Sequence, residues 1–173
     1  MMPAEHRYYG EMKSAVTAYL PEPYDWRLYA AQLWQESRFD AYAKSPAGAE
    51  GIAQFMPGTW AEVKRELGYA LSYNDASVTN AGLAIPAGAY YQNKMYMIWD
   101  WPRPHMDRVC LALASYNAGA GNLLKAQKAE GSPSAYRDII KGLPGITGVS
   151  NSHETITYVQ KILKYWVQGV TGL

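Results

Sequence analysis

"LYAAQLWQESRFDAYAKSPAGAEGIAQFMPGTW", Leu28 to Trp60, opens as an amphipathic helix and closes as a loop that runs into another helix. Tyr29, Leu33 and Glu36 stand at i, i+4 and i+7, hence on one helix face. Asp25 is placed to cap that helix, predicted over Trp26 to about Ser37. "AYAKSPAGAEG" reads as a loop, marked by Ser45-Pro46, Gly48 and Gly51. One carboxylate, Glu36, therefore falls among Tyr29, Leu33 and Trp34. If that face is buried, desolvation disfavours its charged form. Its place in the last helical turn adds the negative end of the helix dipole, which acts in the same direction. A carboxyl kept protonated near neutral pH can give its proton to a leaving oxygen, which glycosidic cleavage requires. The alternative is a solvated glutamate paired with Arg38 or Lys44, the commoner fate of this residue type.

Working outward, most periodic segments read as helix. Glu11 to Leu20 precedes the breaker "PEPYD". "PGTWAEVKRELG" carries a capping-box pattern, Thr59 with Glu62, a stripe of Trp60, Val63 and Leu67, and an end at Gly68. "SYNDAS" reads as a turn. A helical stretch to about Trp99 contains Pro86, which should open or kink a helix, and "DWPRPH" ends it. Asp107 to about Ser115 is apolar enough to be the central helix. "YNAGAG" punctuates it, and Asn122 to Ala129 follows. "KGLPGITGVSNS" reads as a loop. Ser152 or His153 precedes a last helix, Glu154 to about Gln168, striped by Ile156, Val159, Ile162, Leu163 and Trp166. The expectation is a mostly α fold in one domain, residues 1–173, with no linker, repeat or low-complexity tract. A small β-ribbon between the loops near Gly48 and Tyr73 is an open element of that expectation.

Composition agrees. The 173 residues suit one domain with a full core, and 49% hydrophobic against 18% charged residues argues against disorder. A net charge of +1 carries no polyanion signal, so nucleic acid is not expected as a partner. The single cysteine, Cys110 in "VCLALA", excludes an internal disulfide and reads as a buried, inert thiol. "MMPAEHRYYGEMKSAV" shows no apolar signal region, and no run is long enough to span a bilayer. Tyrosine (15) and tryptophan (6) outnumber phenylalanine (2), a skew toward aromatics with a polar handle. Such residues line sugar clefts or sit half-buried in cores. His6, His105 and His153 lack ligand spacing, so neither metal nor cofactor is expected.

Five pieces in order carry a resemblance: Glu36-Ser37; Ser45-Pro46-Ala47-Gly48-Ala49; Gly51 to Thr59 ("GIAQFMPGT"); Tyr116-Asn117-Ala118-Gly119; and Glu154-Thr155-Ile156-Thr157-Tyr158-Val159. The chain resembles the soluble lytic transglycosylase, goose-type-lysozyme-like family over about Met12 to Val167. Departures are Ala53, where a bulkier residue usually precedes the glutamine, and Ser115, in place of a common alanine. The resemblance implies an α+β lysozyme-like domain with a cleft. It implies Glu36 as general acid and then general base, with Ser37 bonding near the cleaved linkage. Gln54 and Met56 would line the cleft beside the sugars, Tyr116 and Asn117 would contact substrate, and Glu154 would bind the peptide or sugar side. Tyr158 would reach the Glu36 carboxyl and orient it. Each has a plainer alternative in capping, loop bracing or packing. For Glu154 that alternative is a favoured acid in a helix's first turn.

Ordinary glycosidases use two carboxyls. Asp40, Glu50 and Asp75 are weak candidates for a second, and Phe55 stands where goose-type lysozymes tend to carry an aspartate. The resemblance therefore implies peptidoglycan cleavage at the MurNAc–GlcNAc bond with anhydro-muramic acid as product. A goose-type hydrolysing lysozyme is the runner-up. An inactive cell-wall binder or virion structural protein is the alternative of another class. The expected partner is the glycan strand of peptidoglycan, met by a monomer. The expected setting is a phage endolysin, released or injected to the wall from a cytoplasm where it is made without a signal peptide. The C-terminal helix, with Lys161 and Lys164, could touch membranes but is expected to pack on the core instead of inserting.

Overall fold

A computed structural model describes residues 7–69 and 77–169. The helices are α1 (Tyr9–Tyr19), α2 (Trp26–Ser37), α3 (Pro57–Glu66), α4 (Ala81–Ile98), α5 (His105–Ala118), α6 (Ala120–Ala129), α7 (Tyr136–Ile139), α8 (Leu143–Thr147) and α9 (Val149–Gln168), with a 3-10 turn at Ile140–Gly142. The chain is thus mostly α, as its periodicity predicts. It divides into two compact units, one from Met1–Tyr91 with Ile162–Leu173, the other from Gln92–Lys161. Among the described residues no helix is long and apolar enough to cross a membrane.

In the first unit α1 packs on α2, and Met12, Tyr29, Leu33, Ile52 and Ile85 are fully enclosed. Asp25 caps α2 by accepting from the Arg27 amide (2.9 Å) and also accepts from Trp166 Nε1 (2.8 Å), which fastens the end of α9 to the start of α2. In the second unit α6 packs against α5 and α8, around Trp99, Leu111, Leu113, Leu123 and Leu143. Val109 to Ser115 is buried without interruption, so α5 is the central helix of this unit. Cys110 is buried there, and its thiol is pushed up to about 12, first by burial and then by Asp107.

Two local expectations are corrected, the start of α3 and the loop after Lys141. Helix α3 begins at Pro57 with Met56 as N-cap and no side-chain cap bond, so Thr59 is inside the first turn. Proline's fixed φ and missing N–H suit that first position, and this outweighs the Thr59–Glu62 pattern. Pro86 lies inside continuous helix. The segment read as a loop after Lys141 is α8 and the start of α9, so Glu154 sits in the second turn of α9. On the Gly48 side of the ribbon left open above, the described residues show isolated bridges, Lys44 to Glu50 and Glu50 to Phe55. Tyr73, Asp75 and the "SYNDAS" turn up to Ala76 lie outside the described residues, as does His6.

Candidate active site

Glu36 occupies the last turn of α2 and is half-buried. The face it shares is enclosed: Tyr29 is 0% and Leu33 1% exposed. The Tyr29 hydroxyl donates to the Ile85 carbonyl of α4 at 2.5 Å. Its pKa is pushed well above the ordinary tyrosine range, by burial first, then by Tyr24 and, further down, by the Glu36 charge, against the lowering effect of the Ala89 amide. Glu36 therefore lies within electrostatic reach of a buried phenol. The two cations nearest in sequence are engaged by other groups. Lys44 pairs with Glu50 at 3.0 Å. Arg38 lies over Trp34 and Tyr165, and donates to the Trp34 carbonyl at 3.1 Å.

Helix α2 stops sharply. Arg38 and Phe39 both take positive φ (57° and 64°), which turns the chain directly after Ser37. Phe39 is buried against Trp34, so the turn is held by aromatic packing. The Ser37 hydroxyl lies 2.8 Å from the Ile52 carbonyl and 3.4 Å from that of Leu33. Its one proton thereby ties the end of α2 to the following loop.

That loop is braced from within. Gln54 takes φ +49° and donates from Nε2 to the Ala43 (3.2 Å) and Gly51 (2.9 Å) carbonyls. Gly51 has φ +79°, and a side chain there would run into the Val78 carbonyl. Ala53 is fully buried, with Gly88 of α4 beside it; a Cβ on Gly88 would lie 3.1 Å from that of Ala53 and 2.5 Å from the Tyr29 hydroxyl. The smallness of Ala53 thus goes with the close approach of α4. Phe55 is 3% exposed and packs on Trp60 and Tyr91, so the position after the glutamine belongs to the core. Met56 is 45% exposed at the head of α3. Of the other acids, Glu50 is held by Lys44, and Asp40 accepts from the Tyr42 amide (2.8 Å) in a local turn.

In the second unit Tyr116 and Asn117 end α5, half-buried and exposed respectively, and Glu154 is exposed on α9. Asn117 and Glu154 line one recess of about 240 Å³ together with Asn122, Asn151 and Thr155. The Thr155 hydroxyl lies 2.8 Å from Asn117 Oδ1 and 3.1 Å from the Asn151 carbonyl, and its proton serves one of them at a time. Thr155 belongs to the Glu154–Val159 motif, whereas Asn122 and Asn151 carry no local sequence signal. Tyr158 is buried in α9. Among the described residues no group of three or more His, Cys, Asp or Glu could hold a metal ion.

A family model described as the Transglycosylase SLT domain matches residues 13–139. The chain belongs to that family. The SLT match runs from α1 through α7 and so takes in both the Glu36 loop and the end of α5. A curated relative, membrane-bound lytic murein transglycosylase F of Enterobacter sp. (strain 638), is 33% identical over 161 residues, 84% of this chain and 29% of its own length. The 70 kDa soluble lytic transglycosylase Slt70 of Escherichia coli superposes with a TM-score of 0.69 at 23% identity, over 92% of this chain and 23% of that one. Lytic transglycosylase Slt of Pseudomonas aeruginosa, solved as an inactive mutant, gives 0.70 at 28% identity, over 96% and 24%. The SLT-family chain therefore has the fold of soluble lytic transglycosylases, and it spans under a third of the length of each of these proteins.

Proposed function

We propose that this chain is one lysozyme-like domain that cleaves the MurNAc–GlcNAc bond of peptidoglycan as a lytic transglycosylase, with Glu36 as its one acid and base. The observation that supports this most is Glu36 itself: half-buried at the end of α2, on the enclosed Tyr29 face, beside a loop built on Ser37 and Gln54. Membership of the SLT family supports peptidoglycan as the substrate class. Protonated Glu36 gives its proton to the departing glycosidic oxygen as that bond breaks. The substrate's own N-acetyl oxygen stabilises the cationic anomeric carbon. Glu36, now ionised, takes the proton of the muramic acid C6 hydroxyl as that oxygen closes onto the anomeric carbon. No water is consumed and Glu36 ends as it began. Donor and acceptor sit on one sugar, so no association entropy is lost.

The remaining assignments belong to the same proposal. Gln54 and Met56 meet the sugars, Ser37 bonds near the cleaved linkage, Tyr116, Asn117 and Glu154 contact substrate, and Tyr158 orients the acid. The biological setting we infer is bacteriolysis by a phage endolysin acting as a monomer on the wall.

The test is mass analysis of muropeptides released from purified sacculi. Anhydro-muramic ends, each one water lighter than a hydrolysis product, are expected. A digest dominated by reducing ends that borohydride labels would identify a hydrolysing lysozyme instead. Absence of any cleavage would leave the chain a wall binder. Lysis on co-expression with a pore-forming protein, and not without it, tests the endolysin setting.

A further inference from the structure

We propose a second saccharide-binding site in the unit formed by Gln92–Lys161, at the corner between α4 and α5, where Trp101 forms an open platform beside a ready-built polar rim. A recess of about 320 Å³ lies there. Ile98, Trp101 and Leu124 form its apolar side, and Arg103, Gln127 and Ser132 its polar side. Trp101 is 71% exposed, with Ile98 (42%) and Leu124 (43%) also open to solvent. Exposed apolar residues clustered in this way mark binding surfaces more often than scattered ones do.

The recess is held open by bonds that do not involve a ligand. Arg103 donates to the Ser134 carbonyl (3.0 Å) and from Nε to the Trp101 carbonyl (3.4 Å), with its guanidinium over the Trp99 ring. Trp99 in turn is anchored in the core, its indole N–H donating to Ser115 Oγ at 2.9 Å. Gln127 Nε2 donates to the Pro133 carbonyl (2.9 Å), and the Ser132 amide donates to the Gln127 carbonyl (2.8 Å) with Ser132 at φ +62°. The rim is thus preorganised, so a ligand has little ordering to impose.

This chemistry suits an N-acetylhexosamine. The C–H face of a pyranose stacks on an indole, while its hydroxyls meet the planar carboxamide and hydroxyl of Gln127 and Ser132. A concave site with carboxamide, hydroxyl and guanidinium groups in its wall fits a polyhydroxylated ring better than a lipid surface, which would call for a convex apolar face. The two recesses share no lining residue, although both reach α6: Leu124 and Gln127 line this one, and Asn122 lines the one at Asn117. The inference rests on the proposed action on peptidoglycan: a neighbouring glycan strand held here raises the effective concentration of wall at the enzyme.

The experiment uses the Glu36→Gln chain, so that no substrate is consumed, and follows the tryptophan indole N–H signals by NMR. The Trp101 signal is the one lost in Trp101→Phe. Titration with the N-acetylglucosamine tetramer should move that signal saturably, and Gln127→Ala should weaken the titration about fivefold, the worth of one hydrogen bond. Trp101→Ala should lower retention on sacculi about tenfold. An unmoved Trp101 signal at millimolar tetramer overturns the proposal. So does a signal moved by phosphatidylglycerol vesicles and not by the sugar, which would make the corner a membrane contact. If sacculi are cleaved by the wild-type chain while Trp101 stays silent, the second site falls and the catalytic reading stands. If Trp101 titrates and no muropeptides appear, the reverse holds.

Discussion

Gly88→Ala tests whether the close approach of α4 to Tyr29 and Ala53 sets the geometry around Glu36. On propensity alone an alanine in the interior of α4 should stabilise by about 1 kcal/mol. The local geometry opposes this. The new Cβ would stand 2.5 Å from the Tyr29 hydroxyl and 3.1 Å from the Ala53 Cβ. The first contact is impossible without movement, and the phenol is fully buried and held by Ile85. Overpacking costs about 1–3 kcal/mol, and a strained or broken buried Tyr29–Ile85 bond adds about 1–3 kcal/mol. The net expectation is a loss of about 1–5 kcal/mol, and for a chain of this size each 1 kcal/mol lowers Tm by about 2–4 °C. Ala53 carries the strain to Gln54, so sacculus cleavage should fall as well. The control is Gly121→Ala in α6, where a Cβ would meet nothing within 4 Å and should raise Tm slightly. Calorimetry on the two variants decides the matter. A Gly88→Ala protein as stable and active as the Gly121→Ala protein would refute the steric reasoning.

Glu36→Gln should lower sacculus cleavage about a hundredfold or more while circular dichroism stays unchanged, since the amide keeps the shape but transfers no proton. Full activity in the folded variant would remove Glu36 from the mechanism. Tyr158→Phe should lower turnover more than it raises KM if the hydroxyl orients the acid, whereas equal kinetics would return Tyr158 to packing. Cys110 and Tyr29 both have folded pKa values raised by burial, so the folded state holds protons that the unfolded state releases. Their contribution is complete below the unfolded values, near 9 for the thiol and 10 for the phenol, and is lost as pH rises further. Tm should therefore fall steeply between about pH 9 and 12, and Cys110 should resist alkylation until the chain unfolds. A flat Tm over that window would contradict the burial argument.

Helix α2 was legible because its signals are local: a capping aspartate, an apolar repeat and a terminal charge all lie within thirteen residues of one another. Helix α5 was legible for the same reason, since an apolar run needs no partner to be recognised. The start of α9 was not. Its first turns carry exposed Val149, Asn151, His153 and Glu154, and the apolar stripe begins only at Ile156, so periodicity placed the start five residues late. The α3 start was misplaced because a proline at the first helical position competes with a capping pattern two residues on. The site residues came from the resemblance, but their bracing did not. Ser37 to Ile52 is a contact across fifteen residues, and Thr155 to Asn117 one across thirty-eight. No local pattern encodes such closures.

Those closures bear on what each unit can read by itself. Gln54 uses both amide hydrogens on the Ala43 and Gly51 carbonyls, and Ser37 directs its proton to Ile52. In the second unit Asn122 and Asn151 each donate an amide hydrogen to a carbonyl four residues earlier, Ala118 and Thr147. Side chains that spend donors on the backbone present their oxygens outward. Gln54 thus keeps its amide oxygen as an acceptor, whereas Asn117, whose Oδ1 faces Thr155, keeps amide donors, and Glu154 adds a carboxylate to that recess. Surfaces that mix donors and acceptors suit a ligand that offers both. A glycan offers hydroxyls and acetamide groups, whereas a phosphate backbone offers acceptors alone. The bonds that hold the loops in shape are thus compatible with the substrate class proposed for this chain.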